Sequence, residues 1–184
     1  MSSTHRTLAE LNAGLAHVEG APTDAGELRL IVRRPAVGKR EVVAEAQLDV
    51  TVGLVGDTWS TRRGWRSKPR APHPDTQINI MNARAIALVA HTDDRWPLAG
   101  DQLYVDLDLS DENLPAGTRL SLGSAVFEVT AEQHTGCRKF SERFGVDATK
   151  FVNSKEGKRL HLRGINAKVV QSGTIRVGDI ARKR

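Results

Sequence analysis

The sequence predicts a mainly β protein, a barrel or folded sheet with two to four helices attached. Candidate strands outnumber candidate helices, and turn-forming residues recur at short intervals. The segment QLYVDLDL at 102–109 also alternates strictly between two faces, as a strand does. Aromatic residues make up only 4% of the chain, so we expect a core built mainly from aliphatic side chains.

Length and composition predict one folded domain. The chain has 184 residues, 39% hydrophobic and 27% charged, which supports a core and excludes wholesale disorder. No apolar run is long enough for a membrane span, and the N-terminus lacks the pattern of a secretory signal. A single cysteine excludes an internal disulfide, which is typical of the cytoplasm. We expect a cytoplasmic protein with no membrane association, in which a helix and linker at 1–26 belong to the same domain as a barrel at 27–184.

Hydrophobic spacing predicts the elements of the first half. Apolar residues recur every three or four positions over 4–18, which predicts one helix. The alternation over 41–50 predicts a strand with one wet face, and the glycines and prolines of 53–75 predict a long loop. Asn82 is placed to cap a helix over 83–91. The strands of this half are predicted over 28–32, 41–50, 76–81 and 102–109.

The second half is predicted to contain two pairs of strands with helices between them. One pair flanks a turn at 123–124, and the last pair is predicted to form a hairpin around 171–173. Thr135 is placed to cap a short helix that has Cys137 in its first turn, and a second helix over 147–154 begins with a capping aspartate. The strands are predicted over 118–123, 125–132, 163–170 and 174–181.

The net charge of +5 is unevenly distributed. A basic loop lies next to Trp59 and Trp65, and three cations close the chain. Guanidinium and indole groups together suit a flat anionic ligand, for example one that carries phosphate, whereas a solvated loop explains the same residues equally well. The cations at the C-terminus are typical of a solvated tail. The basic residues of the loop are Arg62, Arg63, Arg66, Lys68 and Arg70.

Cys137 is the strongest candidate for chemistry. It lies at the start of a predicted helix, beside Arg138 and Lys139, and three residues after His134. A helix N-terminus and neighbouring cations favour a thiolate, which can be a nucleophile, a sulfur carrier or a ligand for a soft metal. The alternative is a buried structural cysteine, but Gly136 and Arg138 are unusual neighbours for one. We therefore predict a functional role for this thiol.

The other polar signals are weaker. His134 is a candidate base, supporting hydrogen-bond donor or ligand, although spacing alone favours a surface histidine beside a strand end. The histidines are scattered and there is no cysteine pair, which disfavours a zinc site. The Asp111-Glu112-Asn113 sequence is ordinary turn chemistry, and GLVGD at 53–57 matches neither a P-loop nor a dinucleotide-binding fingerprint.

Five segments of the chain follow one another in a specific order. Together they resemble the MOSC family, named for the C-terminal domain of molybdenum-cofactor sulfurase, over most of the chain. The chain departs from the common pattern at Trp59, where many members carry histidine, and at Gly136, where proline is frequent. The segments are LVGD (54–57), QINIMN (77–82), LSDENLPAGTRLSLG (109–123), FEVTAEQHTGCRKF (127–140) and GINAKVVQSGTIRVGD (164–179).

The resemblance implies a MOSC-like β-barrel with a few short peripheral helices. It also implies that Cys137 is the family's cysteine, which carries sulfur or coordinates molybdenum. The molybdenum cofactor is a pterin with a dithiolene and a phosphate, so basic residues become candidates for holding it. The residues assigned to catalysis are Cys137, His134 and Lys139, with Cys137 also as metal ligand. Those assigned to cofactor binding are Arg62, Arg63, Arg66, Lys68, Arg70, Asn113 and Arg138.

Three functions remain open at this point. The first is a protein that binds the molybdenum cofactor (molybdopterin) and reduces N-hydroxylated small molecules. It would take electrons from a separate reductase, because the chain shows no flavin, haem or iron–sulfur motif. The second is a sulfur carrier with a persulfide on Cys137 and no metal. The third is a basic nucleic-acid-binding barrel, which the scarcity of aromatic residues disfavours. Enzymatic activity and oligomeric state stay open.

Overall fold

The computed structural model describes residues 5–61 and 72–184. The basic loop residues at 62–70 therefore lie outside the described residues. The α-helices are α1 (Leu8–Ala13), α2 (Leu15–Glu19), α3 (Ala83–Ala90), α4 (Arg138–Phe144), α5 (Val146–Asn153) and α6 (Lys155–Arg159). The strands are β1 (Gly26–Arg33), β2 (Glu41–Val43), β3 (Glu45–Asp49), β4 (Gly53–Leu54), β5 (Ile78–Asn82), β6 (Leu103–Asp106), β7 (Arg119–Leu122), β8 (Ala125–Val129), β9 (Ile165–Gln171), β10 (Gly173–Arg176) and β11 (Ile180–Lys183).

Seven strands close into a barrel, in the order β1-β6-β5-β9-β8-β7-β11. Strand β11 returns to β1 through the pairs Gly26–Ala181 and Glu27–Ile180, which completes the ring. Neighbouring strands are antiparallel except β5 and β6, which α3 connects as a crossover. Strand β2 extends the sheet beside β1, and β10, β3 and β4 form a small second sheet. The predicted mainly β barrel with short peripheral helices is confirmed.

Two hydrophobic cores share the barrel wall. The interior core includes Leu103 and Val105, which the alternation over 102–109 places on one face. The other face carries Tyr104, which is fully buried because helices cover the outside of the barrel there. Its hydroxyl donates a hydrogen bond to the Trp96 carbonyl at 2.8 Å. Helix α4 joins this outer core through buried aromatic rings at Phe140 and Phe144, and its N-terminal end bears Cys137.

Two predicted elements are interrupted in the structure. The single helix expected over 4–18 is two helices that meet at Gly14, because glycine disfavours a helix interior. The strand expected over 41–50 breaks at Ala44, where the chain leaves the barrel sheet and enters the small one. Val43 therefore packs on the interior core together with Ala46 and Leu48. Strict alternation along one strand would have placed Val43 on the opposite face from these two residues.

The hairpin predicted over 163–181 is wrong. Strand β9 pairs with β5 on one edge and β8 on the other, so neither edge is left for β10. Strand β10 pairs instead with β3, and β11 pairs with β7 and β1. A Cβ atom on Gly173 would lie 2.4 Å from the main-chain carbon of Ser124, so glycine permits the close approach at which the chain changes sheets.

The helix caps in the second half also differ from those predicted. Cys137 itself is the N-cap of α4, so Thr135 does not cap that helix and Cys137 lies just outside its first turn. Helix α5 begins at Val146 with Gly145 as its N-cap. The Asp147 carboxylate instead accepts a hydrogen bond from the Leu8 amide at 3.1 Å. No helix in the described ranges is both long and apolar enough to traverse a lipid bilayer.

Candidate functional site

Cys137 is exposed at the N-terminal end of α4. Its backbone is extended (φ −111°, ψ 178°), and its carbonyl accepts a hydrogen bond from the Ser141 amide at 3.0 Å. The thiol does not cap the helix, and no side-chain hydrogen bond ties it to any residue the structure describes. The fold therefore uses the main chain of Cys137 and leaves its sulfur accessible.

One side chain fixes the backbone immediately before Cys137. Asn153, the last residue of α5, accepts a hydrogen bond from the Gly136 amide at 2.8 Å and donates one to the Gly136 carbonyl at 2.9 Å. A Cβ atom on Gly136 would lie 2.9 Å from Val152 Cγ2, so the absence of a side chain allows this close approach. No sequence pattern marks Asn153, because its role depends on the packing of α5 against a segment that precedes α4.

The two cations that follow Cys137 point to solvent. The Arg138 side chain is 91% exposed and pairs with Glu142 one helical turn later, at 3.1 Å. Lys139 is also exposed. Both lie beside the thiol in sequence, but the charge of Arg138 is shared with a carboxylate on its own helix. The assignments of Arg138 to cofactor binding and of Lys139 to catalysis stay predictions.

His134 packs against a buried ion pair. Its Nδ1 lies 3.3 Å from Asp101 Oδ1, and the other oxygen of Asp101 accepts a hydrogen bond from Arg163 at 2.7 Å. Nδ1 and Oδ1 are both buried, and within the described residues neither makes an aligned hydrogen bond. Burial and the positive charge of Arg163 lower the pKa of His134 to about 4, against the opposing effect of Asp101. The imidazole is therefore neutral at pH 7.

A cleft of about 450 Å³ opens beside His134. His134 lines this cleft, and its Nδ1 atom is buried on the side of Asp101. Thr135 continues the wall toward Cys137, and α6 supplies Lys155 and Lys158 from the other side. Neither lysine lies within 4 Å of a carboxylate in the part of the chain that the structure describes. The same wall also carries the carboxylates of Asp111 and Glu132, and it ends two residues before Cys137.

The early LVGD segment serves the fold. Asp57 is buried, and its carboxylate accepts hydrogen bonds from the main chain, Nε and Nη2 of Arg34 at 2.7 to 3.0 Å. It also accepts one from the Trp59 amide at 2.9 Å. Trp59, at the position where the family resemblance leads us to expect histidine, is 7% exposed and packs as a core residue. No titratable side chain replaces that histidine at this position.

Asn113 stabilises its own turn. Its Nδ2 donates to the Asp108 carbonyl at 2.7 Å, and its Oδ1 accepts from Lys183 Nζ at 2.7 Å. The side chain does not line the cleft, although the neighbouring Asp111 and Leu114 do. Its assignment to cofactor binding stays a prediction. Amide side chains of the other motifs are likewise bonded to main-chain groups, namely Gln77, Asn82 and Asn166.

Comparisons with known proteins confirm the family that the sequence resembles. The MOSC domain model matches residues 67–182. The YuaD protein from Bacillus subtilis superposes with a TM-score of 0.61 and 17% identity, covering 87% of this chain and 97% of that one. YiiM from Escherichia coli gives 0.55 and 16%, covering 86% and 69%, and YiiM from Geobacillus stearothermophilus gives 0.53 and 14%, covering 89% and 74%. These structures support the fold, and no curated protein sequence matches the chain.

Proposed function

Because this chain belongs to the MOSC domain family, we propose that it binds the molybdenum cofactor in the cytoplasm, with Cys137 as the protein ligand of the metal. One observation carries the proposal: the Cys137 thiol is exposed and unbonded among the described residues, whereas Asp57 and Asn113 of the neighbouring motifs are engaged by the fold. A thiolate is the soft ligand among protein side chains, and a reducing compartment keeps a lone thiol free.

The residues present fit this cofactor. The described ranges contain no cluster of three or more His, Cys, Asp or Glu side chains arranged to hold a free metal ion. A cofactor that brings its own dithiolene sulfurs needs only one protein thiolate, which Cys137 offers. Lys155 and Lys158 offer cations to an anionic ligand in a cleft that Asp111 and Glu132 also line, and the Asn153 contacts hold the Gly136 backbone next to Cys137.

We further propose that the bound protein reduces N-hydroxylated small molecules. The molybdenum centre, when bound, supplies two-electron reduction, and two electrons and two protons convert a hydroxylamine into an amine and water. The electrons would come from a separate reductase. The neutral His134 ring would hydrogen-bond the substrate through Nε2, while its Nδ1 edge packs against the buried Asp101–Arg163 pair.

Cofactor content tests the proposal. Wild type, Cys137→Ser and the control Val146→Ser are produced in a host that makes the cofactor, and molybdenum and pterin are measured per chain. Val146 is an exposed residue outside the site. We expect molybdenum in wild type and the control, and at least a tenfold loss in Cys137→Ser. Equal molybdenum in Cys137→Ser would show that the thiol is not the ligand.

The exposure of the same thiol supports a second candidate, a sulfur carrier without bound metal. In that case the purified protein gains the mass of one sulfur atom on Cys137 and contains no molybdenum. Cys137→Ser would lose the added mass. A wild-type thiol that alkylates no faster than free cysteine at pH 7 counts against this candidate.

A further inference from the structure

Two guanidinium groups converge on one open point beside Gly100. A Cβ atom placed on Gly100 would lie 3.4 Å from Arg40 Nη2 and 3.8 Å from Arg143 Nη1, with no other described side chain or distant main-chain atom within 4 Å. Gly100 has φ +91°, a conformation that favours glycine, so the position stays without a side chain. Among the described residues, the space where a Gly100 side chain would lie is therefore bounded by two guanidinium groups and is otherwise open.

The positive charge at this point is not neutralised. In the described part of the chain, neither Arg40 nor Arg143 lies within 4 Å of a carboxylate. Arg40 makes one hydrogen bond, from Nη1 to the adjacent Lys39 carbonyl, and its buried Nε has no partner among the described residues. Arg143 donates from Nη1 to the Leu98 carbonyl at 2.6 Å. Arg40 Nη2, the nitrogen nearest the point, has no hydrogen-bond partner among the residues that the structure describes.

A third arginine, Arg34, lies next to this pair, and Asp57 balances its charge. Arg34 Nη1 donates to the Gly100 carbonyl at 2.9 Å, while its remaining nitrogens bind Asp57. Burial, together with the charges of Arg143 and Arg34, lowers the pKa of Arg40 against the opposing effect of Asp57. Like charges held this close destabilise the folded protein unless an anion lies between them.

We propose that Arg40 and Arg143 form an oxyanion site over Gly100 that binds the phosphate group of a small-molecule ligand. Guanidinium groups present paired N–H donors that match the oxygen spacing of phosphate, and two of them can hold one phosphate from two sides. The site uses neither Cys137 nor the lysines of α6. It therefore does not depend on the proposed function, although a phosphate carried by the cofactor is one of its possible sources.

Binding of inorganic phosphate to the full, cofactor-free chain tests this site. Calorimetric titrations at constant ionic strength compare wild type, Arg40→Gln, Arg143→Gln and Arg29→Gln. The control removes one positive charge from an exposed arginine elsewhere on the barrel. We expect saturable binding to wild type and the control, and at least tenfold weaker binding to the other two variants. No saturable binding to wild type, or unchanged binding in both site variants, would overturn the proposal.

Thermal melting separates loss of the site from loss of the fold. Among the described residues, the one hydrogen bond of Arg40 is to its neighbour's carbonyl, so Arg40→Gln removes repulsion without removing a tertiary hydrogen bond. In chloride buffer we expect its Tm to equal or exceed that of wild type. Phosphate should raise the Tm of wild type and Arg29→Gln but not that of Arg40→Gln. An equal phosphate-induced rise in all three proteins would contradict the site.

The source of the phosphate is assigned by a further comparison. Arg40→Gln produced in a cofactor-competent host should lose pterin if the site holds the cofactor's phosphate, and should keep it if the ligand is a phosphorylated substrate or free phosphate. Both results are compatible with an oxyanion site. Cys137→Ser should bind inorganic phosphate as wild type does, so a failure of the molybdenum proposal would leave this one standing.

Discussion

At the scale of single residues, the Asn153 side chain controls the geometry at Cys137. It satisfies both main-chain polar groups of Gly136, one residue before the thiol. Asn153→Ala should lower the free energy of unfolding by about 1 to 3 kcal/mol, because two partly buried hydrogen bonds are lost. It should also speed hydrogen exchange of the Gly136 amide at least tenfold relative to wild type.

The matched control for Asn153 is Asn12→Ala, which removes an exposed amide on α1. We expect little change in either measurement for that variant. A Gly136 amide that exchanges at the wild-type rate in Asn153→Ala would show that the contact does not hold this segment.

His134 should make the stability of the protein depend on pH. Its native pKa of about 4 lies below its ordinary value of 6.5, so the unfolded state binds a proton that the native state excludes between these values. The stability present above pH 6.5 is therefore lost as the pH falls toward 4. From pH 7 to pH 5 the loss attributable to His134 is roughly 2 kcal/mol.

Urea unfolding at pH 7 and pH 5 measures this effect by comparing wild type with His134→Gln. The difference in unfolding free energy between pH 7 and pH 5 should be smaller in His134→Gln than in wild type, by roughly 2 kcal/mol. His73→Gln serves as the control, since His73 is an exposed residue with no buried carboxylate beside it. Identical pH dependence in wild type and His134→Gln would contradict burial of a neutral ring.

At the scale of elements, helix α3 depends on its N-cap. Asn82 Oδ1 accepts hydrogen bonds from the Arg84 and Ala85 amides, and its Nδ2 donates to the Leu107 carbonyl at 2.8 Å. Because the side chain is buried, Asn82→Ala leaves these groups unpaired and should cost about 2 kcal/mol in unfolding free energy.

Thr7→Ala is the comparison for this cap, because Thr7 caps α1 at an exposed position. Thr7→Ala should lower the unfolding free energy by less, about 1 kcal/mol at most, since water replaces the lost hydrogen bond. Equal costs for the two variants in denaturant unfolding would mean that burial adds nothing to the α3 cap.

The sequence predicted this cap but not the path of the last strands. Asn82 and the amides it caps are two or three residues apart, so the pattern is local. The hairpin expected after β9 fails because both edges of β9 are already paired with β5 and β8. Which strands occupy an edge depends on segments far away in the chain, and a turn signal around 171–173 carries no information about them.

At the scale of the whole molecule, Arg34 connects four parts of the fold. From the residue after β1 it binds Asp57, Asn79 of β5 and the Gly100 carbonyl. Both members of its ion pair are almost fully buried, with side-chain exposures of 3% and 0%. Asp57→Ala should therefore lower the unfolding free energy by about 3 to 5 kcal/mol, because it leaves a buried charge without a partner.

Glu41→Ala is the matched control for Asp57→Ala. Glu41 pairs with the neighbouring Arg33 in an ion pair whose side chains are 32% and 47% exposed. Such a pair contributes at most about 1 kcal/mol, because solvent screens it. Denaturant unfolding measures the loss of unfolding free energy in both variants. An equally small loss in Asp57→Ala and Glu41→Ala would show that the buried pair does not hold the barrel together.

The sequence by itself determined the barrel class, the positions of most strands and the α3 cap, because these follow from patterns a few residues long, and the role of Cys137 stays a prediction. The tertiary structure decided which polar groups meet: Asn153 with Gly136, His134 with Asp101, and Arg40 with Arg143. Each pair joins segments that are distant in sequence and approach only when the barrel closes and the helices pack on it. No local periodicity encodes such encounters, so the anion site over Gly100 became visible only in the folded chain.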